Sequence, residues 1–290
     1  MDFTLFLVQC LNGFQLGTML FLMSSGLTLV FGIMNLINLA HGSLYMIGAY
    51  LCALIQQKTG SFFLAGALSL PLVAVLGFCL EAAVFRRLYR RNHLDQVLAT
   101  FALILTFNEL VRILCGSQAY FMALPQALSG SIEILPGVPY PVYRLFIIAA
   151  GLATALGLYL LIKKTRVGML IRAGAENREM VGALGVNIRQ LYMLVFGLGA
   201  GLAGFAGMMA GPILSVETGM GESILILTLV VIVIGGIGSV RGAFAASILT
   251  GVADTFGRIL LPPSLASMVI YILMALVLVK RPQGLFPSHV

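Results

Sequence analysis

Charge is what this 290-residue sequence lacks most: Asp, Glu, Lys and Arg together make up 9% of it, and there is no tryptophan. A water-soluble domain carries about 25% charged residues, so this composition, with 60% hydrophobic residues, excludes one. The apolar runs are continuous over about twenty residues, as in membrane-spanning helices, whereas β-barrel strands alternate over about ten. We therefore expect an all-α, polytopic integral membrane protein, with residues 1–290 forming a single transmembrane domain.

Residue patterns that would carry chemistry are also missing. The sequence has no GxxxxGK(S/T) loop to hold the phosphates of ATP, and no nucleophile and base at a workable spacing. The basic residues lie at the ends of apolar runs and form no patch for nucleic acid. We predict no catalytic residue, no metal site and no cofactor bound by this chain. The four cysteines are scattered through apolar runs without metal-ligand spacing: Cys10, Cys52, Cys79 and Cys115.

Nine apolar segments predict about eight or nine membrane spans, some of them broken helices. No formally charged residue occurs between Phe3 and Gln57, a length that suits two spans. The first run and 223–240 could each be broken or re-entrant, and nine spans would put the N-terminus outside. The segments are about 5–32, 42–57, 62–84, 95–115, 144–163, 188–211, 223–240, 242–260 and 265–279.

The distribution of basic residues predicts the orientation. Because cytoplasmic loops are enriched in Lys and Arg, the segment 166–187 and the C-terminus are predicted to be cytoplasmic. The loop 116–143, which has no Lys or Arg, is predicted to lie outside. Glu81 is expected to snorkel at the membrane surface near its basic neighbours. Thirteen of the seventeen Lys and Arg residues lie at 86–91, 163–189, 241 and 280–281.

A cluster of polar residues interrupts the first long apolar stretch. Non-helical backbone at membrane depth is tolerated where protein or a water-filled cavity satisfies its polar groups. This break is therefore a candidate gate or pathway segment, and a plain turn between two spans is the alternative. A second, glycine-containing break follows a later apolar span, and the two resemble a weak internal repeat. The pathway candidates are Asn35, Asn38, His41 and Gly42 in the first break and Gly235, Gly236 and Gly238 in the second.

Small residues recur every three or four positions along the span at 188–211. They would form one flat helix face that another backbone can approach closely. Internal packing is the favoured interpretation, and a dimer or translocation interface is the alternative. The residues are Gly197, Ala200, Gly204, Gly207 and Gly211.

Charged residues within the predicted spans come as pairs at helical spacing. Glu109 and Arg112 are three apart, and Asp254 and Arg258 are four apart, so each pair can neutralise itself on one helix face. A proton-coupled carrier would use such residues as relays. Their pairing favours a structural role.

The segment 166–187 differs from the rest of the chain because it is polar, charged and amphipathic. Its glycines predict a short helix, a turn and a new helix that starts near Asn187. A polar helix tethered between two spans cannot enter hydrocarbon, so we expect it on the membrane face, where it can dock a soluble protein. In that helix Arg172, Glu176 and Glu179 are spaced to share a face, and Arg178 points elsewhere.

Two stretches resemble a known family. RAGAENREMVGALGVNI, at residues 172–188, resembles the cytoplasmic coupling-loop motif of ATP-binding-cassette importer permeases. FGIMNLINLAHGSLYMIGAY, at residues 31–50, closely resembles the N-terminal signature of the branched-chain amino acid permease family. The resemblance implies a non-catalytic permease subunit that moves branched-chain amino acids across the bacterial inner membrane.

The same resemblance implies partners. They are a second, related permease in a heterodimer, two cytoplasmic ATPases that carry ATP and Mg, and a periplasmic substrate-binding protein, with lipid around the spans. A permease for urea, short amides or other amino acids would have much the same sequence, and an ion-coupled secondary carrier is a further alternative. The residues implied to contact the ATPase are Arg172, Ala173, Glu176, Asn177, Gly182 and Gly185.

Overall fold

The computed structural model describes residues 3–286, except Ile37 of the first break, Arg90 of the basic cluster and Pro136 of the long loop, which lie outside the described residues. The described chain forms an α-helical bundle with a short β-hairpin. Its elements are α1 (Phe3–Met34), α2 (His41–Thr59), α3 (Phe62–Leu80), a π-helical turn (Glu81–Phe85), α4 (Arg86–Leu88), α5 (His93–Cys115), a 3-10 turn (Gln126–Leu128), β1 (Ser131–Leu135), β2 (Val138–Pro141), α6 (Val142–Lys164), α7 (Arg166–Glu176), α8 (Arg178–Ala183), α9 (Ile188–Ala210), α10 (Met220–Gly235), α11 (Val240–Leu260), α12 (Pro263–Ala266) and α13 (Met268–Lys280).

Each apolar segment predicted from the sequence contains one long helix of the bundle, which confirms the all-α, polytopic architecture. Within the described residues, seven helices are long and apolar enough to cross a membrane, counting 62–88 and 263–280 as continuous. The other two predicted segments are α2, with 19 residues, and α10, with 16. A helix of that shorter length spans about 24 Å, less than a hydrocarbon core of about 30 Å.

The 32-residue helix α1 is the centre of the bundle and is packed on several sides. Gly13 and Gly17 lie so close to the α11 backbone that an added Cβ would collide with it. On another side, Gly26 meets Gly199 of α9. Small residues allow helix backbones to approach this closely, and the most apolar part of α1 is 83% buried. α1 is therefore a core helix with little surface left for lipid.

Contacts between elements define two ends of the bundle. At the end that carries the hairpin, here called the loop end, Gln56 Nε2 donates to the carbonyl oxygen of Ala123 at 2.7 Å. At the opposite end, here called the basic end, α7 packs against α1 and α9. The backbone N–H of Leu285 donates there to the carbonyl of Ile234 at 2.8 Å. The segment 166–187 and the last described residues therefore share the basic end.

Two helices begin inside the bundle. α2 starts where His41 lies against Gly26 of α1, about 12 Å before α1 ends at the basic end, and runs outwards to the loop end. α10 starts at Met220, also inside the bundle. It runs to the basic end, where Gly235 packs against Gly242. The two starts meet at Gly42 and Gly221, whose backbones are in contact. α2 and α10 are thus short helices that run in opposite directions from one meeting point.

The loop between α5 and α6 is tied to the bundle at the loop end. β1 and β2 pair antiparallel, with an irregularity between Glu133 and Leu135. Tyr120 and Val216 exchange two backbone hydrogen bonds of 2.9 Å. This bridge joins the loop to 211–219, the segment through which the chain reaches the start of α10.

The sequence predicted that Glu81 snorkels at the membrane surface, and this prediction is wrong. Its side chain is 1% exposed, and Arg86 Nη2 donates to it at 3.0 Å. The Tyr89 hydroxyl donates to its other oxygen at 3.4 Å. Because a buried carboxylate needs charged and hydrogen-bonding partners, the π-helical turn after α3 directs Glu81 inwards while the following residues fold back onto it.

Candidate functional site

A cavity of about 1110 Å³ opens at the basic end, between α1, α6, the segment 166–187 and the α10–α11 junction. Its wall includes apolar side chains from two core helices, Phe21 and Leu29 of α1 and Phe244 of α11. It brings together residues from three polar regions that the sequence singled out, namely the two breaks and the segment 166–187. These are Asn35 from the first break, Gly238 from the second, and Arg172, Glu176 and Asn177 from the segment 166–187.

The charged residues of this cavity are mostly basic. Lys163 of α6 and Arg241 of α11 approach the ring of Tyr159, at 5.5 Å and 5.9 Å from its centroid. Both line the cavity together with two further arginines, against two glutamates. A cation near an aromatic face is attracted by the ring. The cavity therefore has an apolar wall and a positively charged rim. The rim is formed by basic residues of α6 and the segment 166–187 together with Arg241 of α11.

Asparagine and threonine caps shape the segment 166–187. The Thr165 side chain accepts a hydrogen bond from Gly168 N–H at 3.0 Å and starts α7. The Asn177 side chain accepts from Met180 N–H at 2.9 Å and starts α8. Asn187 caps α9 in the same way, through the N–H groups of 189 and 190, so the new helix begins where the sequence predicted. Such caps satisfy the free N–H groups of a first helical turn.

The prediction of one helix face for Arg172, Glu176 and Glu179 is wrong. Asn177 has an extended backbone, with φ −151° and ψ 92°, and α7 ends at Glu176. Asn177 ends it because its side chain bonds forward to the next turn, which favours a cap over a helix interior. Glu179 therefore belongs to α8. Arg178 does not point away, since it lines the same cavity as Arg172 and Glu176.

The buried face of α7 holds the segment against the bundle. Ile171 is 4% exposed, and Gly174 lies against Leu191 of α9 and near Ile33 of α1. Ala173 is half-buried beside this face, and Arg172 is exposed. α7 is therefore in direct contact with both α1 and α9.

Two exposed apolar residues of this segment were missed by the sequence reasoning. Met180 is 63% exposed and Leu184 is 78% exposed, next to the turn in which Gly185 has φ +87°. Gly182 packs loosely against Ile188. Exposed apolar side chains on an otherwise polar surface are a mark of interaction sites. The run MVGAL within the charged segment is the signal that could have identified them.

The first break is divided between two environments. Asn35, which lines the cavity, has φ +50°. Asn38 and His41 lie inside the bundle, at 1% and 0% exposure, and the side-chain amide of Asn38 has no hydrogen-bond partner among the described residues. Gly42 contacts Gly221 of α10. In the second break, Gly236 and Gly238 have φ of +100° and +79° and form the turn between α10 and α11.

The small residues of α9 all lie at close helix or loop contacts. Their face meets α3 and α2, and at its end the long loop. An added Cβ would collide with a neighbour at Gly197, Gly207 and Gly211, and would be in tight contact with Val73 at Gly204. The contacts are Gly197 with Phe78, Ala200 with Gly77, Gly204 with Val73 and Gly48, Gly207 with Tyr45, and Gly211 with Met122.

The charged pairs of the spans form in the structure. Arg112 Nη1 lies 3.3 Å from Glu109 Oε1, and Arg258 Nε lies 2.8 Å from Asp254 Oδ2. A further polar contact was missed, because its partners are 114 positions apart: Asn108 Nδ2 of α5 donates to Glu222 Oε1 of α10 at 2.7 Å. It lies beside the point where α2 and α10 meet.

Comparison with known proteins identifies relatives along nearly the whole chain. Residues 9–278 match a family described as "Branched-chain amino acid transport system / permease component". The chain is 30% identical to BraD of Pseudomonas aeruginosa, a high-affinity branched-chain amino acid transport system permease protein, with 97% of this chain and 95% of BraD covered. It is 30% identical to LivH of Salmonella typhimurium, over 98% and 96% of the two chains. It is also 28% identical to LivM of Escherichia coli, over 90% of this chain and 66% of LivM. No solved structure matches it.

Proposed function

The chain belongs to the family of branched-chain amino acid transport system permease components, and we propose that it is the permease subunit of an ATP-binding-cassette importer for leucine, isoleucine and valine. It is a multi-pass membrane protein. We assign it to the bacterial inner membrane, with the basic end in the cytoplasm, because cytoplasmic loops are enriched in Lys and Arg. The loop end then faces the periplasm.

The observation that carries this proposal is the cavity at the basic end. Its apolar wall suits a solute with a branched aliphatic side chain. Its rim is formed by the segment 166–187 and by the two breaks. A movement of that segment therefore changes the cavity opening, which is the connection that an importer needs between its energy source and its solute pathway.

In this proposal α7 and α8 transmit the motion of the ATPase subunits. Met180 and Leu184 give the ATPase an apolar contact, and Arg172, Glu176 and Asn177 supply the polar contacts next to it, with Ala173, Gly182 and Gly185 shaping the surface. α7 is packed on α1 and α9, so closure of the ATPases on ATP would shift these helices as bodies. ATP and Mg are bound by the ATPases.

Two further partners belong to this proposal. The chain is similar both to LivH and to LivM, which are named as permease proteins of a branched-chain amino acid transport system. A second, related permease subunit is therefore the partner we infer for the membrane dimer. A periplasmic substrate-binding protein would deliver the amino acid at the loop end, where the hairpin lies.

The test is uptake of labelled leucine at low external concentration, in cells with and without the gene. Parallel assays contain excess valine, excess urea, or depleted ATP with the ion gradient maintained. We expect the gene to add a component that valine inhibits and that requires ATP. An ATP-dependent component specific to another solute would contradict the substrate. Uptake that follows the ion gradient instead of ATP would contradict the importer.

A further inference from the structure

Glu222 is an exposed carboxylate within the membrane-spanning part of the bundle. It is the third residue of α10, thirteen residues before the end of that helix at Gly235, or about 20 Å from the basic end. Its partner Asn108 lies seven residues before the end of α5 at Cys115, about 10 Å below the loop end. Both estimates put the pair inside a hydrocarbon core of about 30 Å.

This carboxylate forms no ion pair with any of the described residues. The ion pairs among the described residues join Arg86 to Glu81, Arg112 to Glu109 and Arg258 to Asp254, and none includes Glu222. Asn108 donates to one of its oxygens. A charged side chain at this depth cannot face lipid at low cost, and such residues mark solute pathways. Glu222 therefore needs a polar partner beyond Asn108, which a water-filled pathway, a ligand or a second subunit can supply.

The surroundings of Glu222 combine polar and apolar groups. Glu222 and Asn108 line a crevice that is closed to a water-sized molecule in this structure. Ile104 and Leu225, at 6% and 5% exposure, form its apolar wall. The crevice reaches the contact between Gly42 and Gly221, where the short helices α2 and α10 start. Transporters with discontinuous helices bind solutes at such points.

We propose that Glu222, positioned by Asn108, binds the ammonium group of the amino acid during its passage through the permease. This inference rests on the proposed function and adds the group that recognises the substrate. The side chain of leucine then packs against Ile104 and Leu225. The crevice is closed in this structure, so α5 must move to admit the solute. α5 is attached to the bundle on one side, with 22% of its most apolar stretch buried.

The test separates the ammonium group from the rest of the substrate. The probes are leucine, 3-methylbutylamine, which lacks the carboxylate, and 4-methylpentanoate, which lacks the ammonium group. Binding to the whole transport complex in lipid nanodiscs, without the binding protein, is measured by saturation-transfer NMR. Uptake of labelled leucine and ATP hydrolysis are measured with the complete system. For the wild type we expect signals from leucine and the amine, and none from the acid.

In the Glu222→Gln variant we expect at least tenfold weaker binding of leucine and of the amine, and at least tenfold slower uptake. The complex should still assemble and hydrolyse ATP. Glu222→Asp should retain part of the binding, and Asn108→Ala should give a smaller loss because Asn108 only positions the carboxylate. The control is Glu109→Gln, which removes a nearby charge from the same membrane region and should change binding less than twofold.

Three outcomes would overturn the proposal. They are unchanged leucine binding and uptake in Glu222→Gln, equal binding of all three probes by the wild type, and no binding of any of them. If the wild type still takes up leucine in these cases, the proposed importer function is retained and only the proposed ammonium site is refuted. Conversely, an amine signal that depends on Glu222, without leucine uptake, would support the ammonium site and refute the proposed substrate.

Discussion

At the basic end, the buried carboxylate of Glu81 is stabilised by partners that lie close to it in the sequence. Glu81 is buried and is held by Arg86 and Tyr89, whereas the adjacent Arg87 is exposed and forms none of the ion pairs found among the described residues. Removing one partner of a buried charge leaves the other uncompensated, which costs more than the pair contributes. The neighbouring arginines are therefore not equivalent, although the sequence presents them as one basic cluster.

The Arg86→Met variant should be less stable than the wild type by about 1–3 kcal/mol, because it leaves the Glu81 carboxylate buried without its cation. The half-exposed position of Arg86 keeps the value below that of a fully buried pair. Thermal unfolding of the purified protein measures the loss. Arg87→Met is the matched control and should be neutral. The double variant Glu81→Gln with Arg86→Met should recover part of the loss, and a double variant no better than the single one would contradict the account.

Glu176 is the residue whose charge we expect to matter most for coupling to the ATPase. Glu176→Lys reverses a charge at the junction of α7 and α8 without disturbing a buried contact, since the residue is exposed. Leucine uptake should fall at least tenfold while the amount of protein in the membrane stays unchanged. Lys280→Glu, a charge reversal at the same end but outside the cavity lining, should retain uptake. Normal transport by the Glu176→Lys variant would refute the coupling assignment.

Among the elements, α2 and α10 depend on each other through a contact that only glycines permit. The backbone of Gly42 and that of Gly221 touch, so a side chain at either position would push the two helix starts apart. Gly157 of α6 has open space where its Cβ would be. The sequence does not distinguish Gly42 and Gly221 from Gly157. They differ because the first two contact another backbone, whereas Gly157 has open space beside it.

Gly221→Ala should destabilise the protein by about 1–3 kcal/mol through overpacking and should reduce leucine uptake, since α2 and α10 border the crevice at Glu222. Gly157→Ala is the control and should be neutral or slightly stabilising, because alanine has the higher helix propensity. Thermal unfolding and uptake are measured for both. Equal behaviour of the two variants would show that the contact between α2 and α10 is unimportant.

The sequence predicted the positions of the helices well, but it did not predict how deep in the membrane each helix starts. Long apolar runs without charge predict helices directly, so the helix positions and the cap at Asn187 were predictable. Hydropathy does not tell whether a helix crosses the whole membrane or starts within the bundle, so the starts of α2 and α10 needed the structure. The contact between Asn108 and Glu222 joins distant residues with no local pattern. The inward turn of Glu81 depends on a π-helical turn that nothing in the sequence indicates.

For the whole molecule, the arrangement of ends makes a topological prediction. The hairpin loop and the segment 166–187 lie at opposite ends of the bundle, and Ile132 and Leu184 are exposed there, at 52% and 78%. In a chain whose four cysteines are replaced, Ile132→Cys should react with a membrane-impermeant maleimide in intact cells. Leu184→Cys should react only after the cells are opened. Labelling of the Leu184→Cys variant from outside would reverse the orientation.

The meeting of α2 and α10 has a consequence for the synthesis of the protein. α2 leaves the ribosome about 180 residues before Gly221, which corresponds to about 10–40 s at 5–20 residues per second. During that interval the start of α2 lacks the helix that covers it, and the buried side-chain amide of Asn38 has no hydrogen-bond partner in the described part of the chain. The newly inserted N-terminal half therefore stays incomplete until the C-terminal half, which carries Gly221, has been synthesised.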